Sequence, residues 1–314
     1  MKTMRGSLPI VLAVVAFTTP AFTQTSFPST ESLRANIRIA IEQKVSPEEL
    51  GTLWLTLANR YQDRFELEKA EDAYANAIHF LRDTSLQSQY AESLHGMGVV
   101  TNTFGRLKEA RKYLTKSLDI YAALKDQTNT AHGHLALGLE LFAEHKYREA
   151  EIESAAALKG FQATAEHDAG AVSMAYLIRG RASCNQGRCR SALDDVSQAQ
   201  SVIPDSLPEN SIERISLRLV RGQVQMQAGL HEDGERSMNE ALRLAQSRTD
   251  LPTSYFITLQ LAILRAQRSS LKAAHRKQEA KLIENQIARI EADAPAACNG
   301  CTVSASALMS SAKR

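Results

Sequence analysis

The chain has 314 residues, 44% hydrophobic, 23% charged and only 6% aromatic, with 15 glycines and 8 prolines. Low glycine and proline content, with abundant helix formers, points to helix and excludes an all-β sandwich or a disordered chain. The 37 lysines and arginines nearly balance the 35 aspartates and glutamates, which excludes the basic surface of a nucleic-acid or anionic-membrane binder.

The chain opens on Lys2 and Arg5, followed by the apolar run Leu8 to Phe17 and then Pro20, Ala21, Phe22, Thr23 and Gln24. A basic start, a short apolar run and small residues at its end are the parts of a secretory signal. Residues 1–23 are therefore expected to be a signal peptide, with cleavage near Thr23/Gln24 and a periplasmic or secreted product. The apolar run is shorter than the roughly 20 residues a membrane span needs, and no later segment reaches that length. Residues 24–46 follow as a linker and a helix over Thr30–Lys44, and Ser46-Pro47-Glu48-Glu49 reads as the start of the next helix.

From there the text repeats itself. Trp54-x2-Leu57-Ala58-x2-Tyr61 is followed by Ala70-x3-Tyr74-x2-Ala77. The same slots recur in Leu94-x2-Met97-Gly98 with Ala110-x3-Leu114, in Leu137-Gly138 with Ala150 and Ala157, in Tyr176-x3-Gly180 with Ala192-x3-Val196, and in Gly222 with Gly234-x3-Met238. These are the slots of the tetratricopeptide pattern, so residues 47–292 resemble the TPR family. The small residues at 70, 110, 150, 192 and 234 recur every 40 to 42 residues, a spacing similar to the longer repeats of kinesin light chains. About five repeats are expected, with Ser254–Ala274 and Arg276–Ile290 as a degenerate capping unit. The resemblance implies an all-α, right-handed α-solenoid of stacked antiparallel helix pairs. Ala58, Gly98, Gly138, Gly180 and Gly222 are read as close helix crossings. Tyr74, Leu114, Val196 and Met238 are read as filling space toward the neighbouring unit. Residues 293–314 form a tail.

In the TPR family the first helix of each pair lines a concave groove that holds a peptide or helix of a partner. Carried over, this implies a groove lined by Leu55 and Asn59 (with Gln62), His95, Val99 and Asn102, Leu135, Leu139 and Phe142, Leu177 and Arg181, and Gln223 (with Leu219 and Met226). Its middle, Leu135, Leu139 and Phe142, is expected to be an exposed apolar strip on the third unit. The clamp with which some TPR domains hold C-terminal carboxylates is not matched, because Leu55, Gly96 and Ala136 stand where that family uses cations or an amide.

The four cysteines form two local pairs. Cys184 and Cys189 bracket a turn, and Cys298-Asn299-Gly300-Cys301 lies in the tail. In an exported chain both pairs are disulfide candidates. His95, His132 and His134 are the one possible histidine cluster; His95 and His132 read as two groove-facing polar residues rather than metal ligands, since no acid is spaced to join them. No nucleophile elbow, Walker loop or zinc-protease motif occurs, so no catalytic residue, metal or cofactor is assigned. The expectation is a non-catalytic scaffold for an unidentified protein or peptide partner, with no nucleic acid and no membrane span in the mature chain. The alternatives are a thiol–disulfide protein using Cys298 and Cys301, and a self-associating structural assembly factor.

Overall fold

The computed structural model describes residues 29–64, 66–164, 168–248 and 253–293. The expected export signal and the tail cysteines Cys298 and Cys301 lie outside these residues. Among the described residues there are thirteen helices and no strand. Helix α1 (Thr30–Glu42) precedes six pairs: α2 (Pro47–Asp63) with α3 (Leu67–Leu81), α4 (Gln87–Thr103) with α5 (Leu107–Ala123), and α6 (Gln127–Ala143) with α7 (Tyr147–Ala163). The remaining pairs are α8 (Ala169–Asn185) with α9 (Cys189–Ser201), α10 (Ile212–Gln227) with α11 (His231–Gln246), and α12 (Thr253–Ala273) with α13 (Lys277–Asp293). None of these helices is long and apolar enough to cross a membrane.

The two helices of a pair begin in different ways. Several first helices are capped by a side chain: Ser46 accepts from the Glu49 N–H, Asp126 from Asn129, Asp168 from Ala171 and Ser211 from Arg214. Such caps satisfy N–H groups that have no partner within the helix. The second helices α3, α5, α7, α9 and α11 have no side-chain cap. These five, and α13 likewise, emerge from a closed turn, in which the N–H of Glu66, Arg106, Lys146, Arg188, Leu230 and Arg276 returns to the carbonyl five residues earlier. That turn requires a left-handed residue, supplied by Gly105, Gly187 and Gly229 and, at strain, by His145 and His275. Helix α1 ends at Glu42, before the expected Lys44, because Lys44 itself takes the left-handed conformation (φ 54°).

Small residues set the spacing within pairs. Ala58, Ala70, Ala110, Ala150 and Ala192 are completely buried. A Cβ on Gly222 would stand 2.7 Å from the Gly234 carbonyl oxygen and 3.1 Å from the Met238 nitrogen, so only two glycines allow α10 and α11 to approach this closely. Leu114 and Met238 lie over the glycines of their own units, Gly98 and Gly222, and also join the core clusters of the next units, with Ala131 and Leu135 of α6 and with Leu259 and Ile263 of α12 respectively. A glycine leaves a hollow in its own pair, and the nearest long side chain fills it. Tyr74 reaches across as well, onto Gly96 of the second unit.

First helices of successive units touch one another, and no comparable contact joins successive second helices. The array therefore curves with its first helices inside. The chain folds as a right-handed TPR-type α-solenoid.

Candidate functional site

The inner face carries a cleft with about 220 Å³ of room. It crosses three first helices diagonally, from the C-terminal turns of α2 through the middle of α4 to the N-terminal turns of α6. Asn59, Gln62 and Asp63 come from α2, Glu92, His95 and Gly96 from α4, and Asn129 and His132 from α6. Each set follows the i, i+3, i+4 spacing that places side chains on one helix face. Tyr74 of α3 and Tyr121 of α5 close the cleft from behind.

A chain of hydrogen bonds organises one wall. The Tyr74 hydroxyl lies 2.7 Å from Asn59 Oδ1 and 2.8 Å from Gln62 Oε1, and Asn59 Nδ2 donates to Glu92 Oε1 at 2.8 Å. Glu92 reaches the water of the cleft, yet the protein packed around it desolvates its carboxyl and raises its pKa, with the Asn59 bond opposing. Asp63 is likewise raised by desolvation, against the pull of Arg60. Burial drives the His95 pKa down to about 4, aided by His132, and lowers that of His132 against the attraction of Asp168 and Asp126. Both imidazoles are therefore neutral at pH 7, and the His132 ring stands edge-on to Phe161 with centroids 5.0 Å apart. Among the described residues, two carboxyl groups and no lysine or arginine line the cleft.

Of the residues expected in the groove, Asn59, Gln62, His95 and His132 line this cleft. The apolar ones do not form an exposed strip, which corrects the sequence reading. Leu135, Leu139 and Phe142 are at most 2% exposed and share a core cluster with Ala150, Leu158 and Phe161 of α7 and Ala175 and Ile178 of α8. Successive first helices pack so closely that the face predicted to meet a ligand meets the next unit instead. Leu55 and Leu177 are buried for the same reason, as are Asn102 and Gln223, while Val99 is half-buried. Arg181 lies half-buried, its guanidinium carbon 4.5 Å from the centre of the Phe142 ring, and burial lowers its pKa to about 10. His134 is directed away from the cleft onto Glu153, at 2.7 Å.

Sequence reasoning missed Asp63, Tyr74, Glu92, Tyr121 and Asn129 as cleft residues. The recurrence of polar residues at 59/62/63, 92/95 and 129/132 was the available signal, and it was obscured by the stronger apolar pattern of the same helices. Cys184 and Cys189 stand at disulfide distance across the α8–α9 turn. Among the described residues, no group of three or more His, Cys, Asp or Glu is placed to hold a metal ion.

No protein-family model matches the sequence, and no curated protein matches it. Solved structures do resemble the fold. The apo form of RapI is 14% identical, covers 83% of this chain and 90% of its own, and superposes with a TM-score of 0.63. The apo quorum sensor NprR from B. thuringiensis is 13% identical over 84% of this chain and 71% of its own, with a TM-score of 0.61. A plasmid Rap conjugation gene regulator, solved in complex with a peptide, is 14% identical over 90% of this chain and 83% of its own, with a TM-score of 0.54.

Proposed function

We propose that this TPR-type solenoid is a non-catalytic scaffold that binds a peptide segment of a partner in the cleft formed by α2, α4 and α6. The observation that carries the reading is the wall Tyr74–Asn59–Glu92, where hydrogen bonds fix polar groups before any ligand arrives. Pre-set groups of this kind lower the ordering cost of binding. The cleft is concave and mixes aromatic rings with a few convergent polar groups, as ligand sites do. A structural neighbour solved with a peptide bound is in keeping with this use of the fold.

Selection of a displayed random-peptide library on the immobilised full chain tests the proposal. Enriched peptides should bind the parent and lose binding to Asn59→Ala. Failure to enrich any sequence, or enriched peptides indifferent to Asn59→Ala, would overturn it.

We further infer that the scaffold acts outside the cytoplasm, after removal of residues 1–23. The basic, apolar and small-residue order of that segment supports this, and so does the closeness of Cys184 to Cys189, since disulfides persist in oxidising compartments. N-terminal sequencing of the protein recovered from the periplasm or medium should begin near Gln24. Recovery of the whole pool inside the cell with an intact N-terminus would contradict export.

A further inference from the structure

We propose that the cleft recognises a cationic side chain of the bound peptide, arginine in preference to lysine. This rests on the peptide-binding reading above and adds the chemistry of the partner.

Several half-buried acids of this array carry their own counter-ions. Glu71 pairs with Arg106, Glu144 with Arg111 and Lys146, Glu151 with Arg188, and Asp195 with Arg179. Glu92, exposed to the cleft, has no such partner: among the described residues no lysine or arginine pairs with it, and it accepts instead from the neutral amide of Asn59. Asp63 faces the same space, and among the described residues its one ion-pair partner is Arg60 of its own helix, at 3.6 Å. Neither imidazole in the cleft supplies a compensating positive charge.

The hydrogen-bond balance points the same way, independently of charge. Two amide oxygens, Asn59 Oδ1 and Gln62 Oε1, approach one phenolic oxygen that has a single proton to give. With Asn59 Oδ1 taking that proton, Gln62 Oε1 is left to accept from an incoming donor unless its amide turns over. The cleft thus presents carboxylate and carbonyl acceptors beside aromatic surface. A guanidinium carries five N–H donors in a plane, pairs with carboxylates in a forked geometry and stacks on rings, whereas an ammonium is a compact and strongly hydrated point charge. The donor count and the flat shape favour the guanidinium.

The test is the random-peptide selection on the full chain, followed by fluorescence anisotropy on synthetic versions of the enriched peptides. Each is made with its basic residue kept, changed from arginine to lysine, or changed to glutamine. The enriched set should be rich in arginine, and the glutamine versions should bind about tenfold or more weakly. Glu92→Gln, which keeps the shape and the Asn59 contact, should reduce affinity for the arginine peptide to nearly that of the glutamine peptide. It should leave binding of the glutamine peptide unchanged, and unaltered circular dichroism and melting exclude misfolding as the cause. Enriched peptides without basic residues, or full binding by Glu92→Gln, would overturn the cation proposal while leaving peptide binding intact. No enrichment at all would overturn both. Spermidine is the control for a free cation: if it binds by calorimetry and no peptide is enriched, the cleft serves a small polyamine and the peptide assignment falls.

Discussion

The ring of Tyr74 lies against the backbone of Gly96 so closely that a Cβ at position 96 would overlap it. The first unit thereby reaches into the second, and the hydroxyl at the tip of that ring begins the hydrogen-bond chain to Asn59 and Glu92. One glycine therefore links array packing to cleft geometry.

Gly96→Ala should destabilise the array by about 1–3 kcal/mol, because the buried ring has nowhere to retreat. Tyr74→Phe keeps the ring and removes only the hydroxyl, so its cost should be smaller, about 1 kcal/mol. Urea denaturation of both variants checks the order. A Gly96→Ala midpoint equal to that of the parent would mean the units are not coupled through this contact.

Leu139→Asp with Phe142→Asp should abolish the cooperative melt of the third unit. Placing two carboxylates among Ala150, Phe161 and Ile178 leaves them desolvated and unpaired, at a cost of several kcal/mol. Differential scanning calorimetry reads the outcome. An unchanged transition would restore these residues to an exposed strip.

Stability should depend on pH at two buried groups, in opposite directions. His95 is held near a pKa of about 4, below its unfolded value of 6.5, so its contribution is complete above pH 6.5 and is lost as pH falls toward 4. Glu140 is fully buried, with Arg111 Nε 3.8 Å away, and burial together with Glu144 raises its pKa to about 8 from 4.5. Its folded form holds the proton that the unfolded chain has released, so its contribution is lost as pH rises from 4.5 through 8. Glu140→Gln should stabilise the chain at pH 8 by about 1–3 kcal/mol and flatten that limb of the profile. Urea midpoints measured across pH 4–9 test both signs.

Lys125 has φ 58° in the turn that leads from α5 to α6. A non-glycine residue there costs about 1 kcal/mol, so Lys125→Gly should raise the denaturation midpoint. Gly105→Ala, at the corresponding conformation of an inner turn (φ 75°), should lower it. Both variants shifting in the same direction would contradict the turn geometry.

The repeat was legible because each slot has one physical demand: a small residue at a crossing, such as Gly138 facing Ser154, or Ala110 completely buried. The helix starts at Ser46 and Pro47 were equally plain, since cap and first-turn residues act locally. The cleft was not legible in the same way. Whether Leu139 faces water or the next unit depends on the distance between successive first helices, and a helical period carries no information about that distance. His95 and Asn59 do line the cleft, whereas Glu92 was not expected there. That no lysine or arginine among the described residues pairs with Glu92 is visible only from its three-dimensional neighbours.

The proposed binding of a peptide across α2, α4 and α6 has one decisive readout. Hydrogen–deuterium exchange of the full chain, with and without a selected arginine-containing peptide, tests it most directly. Added protection should be concentrated over residues 59–63, 92–96 and 129–132, and absent when Glu92→Gln is used. Protection confined to α10–α13, or to the outer second helices, would contradict it.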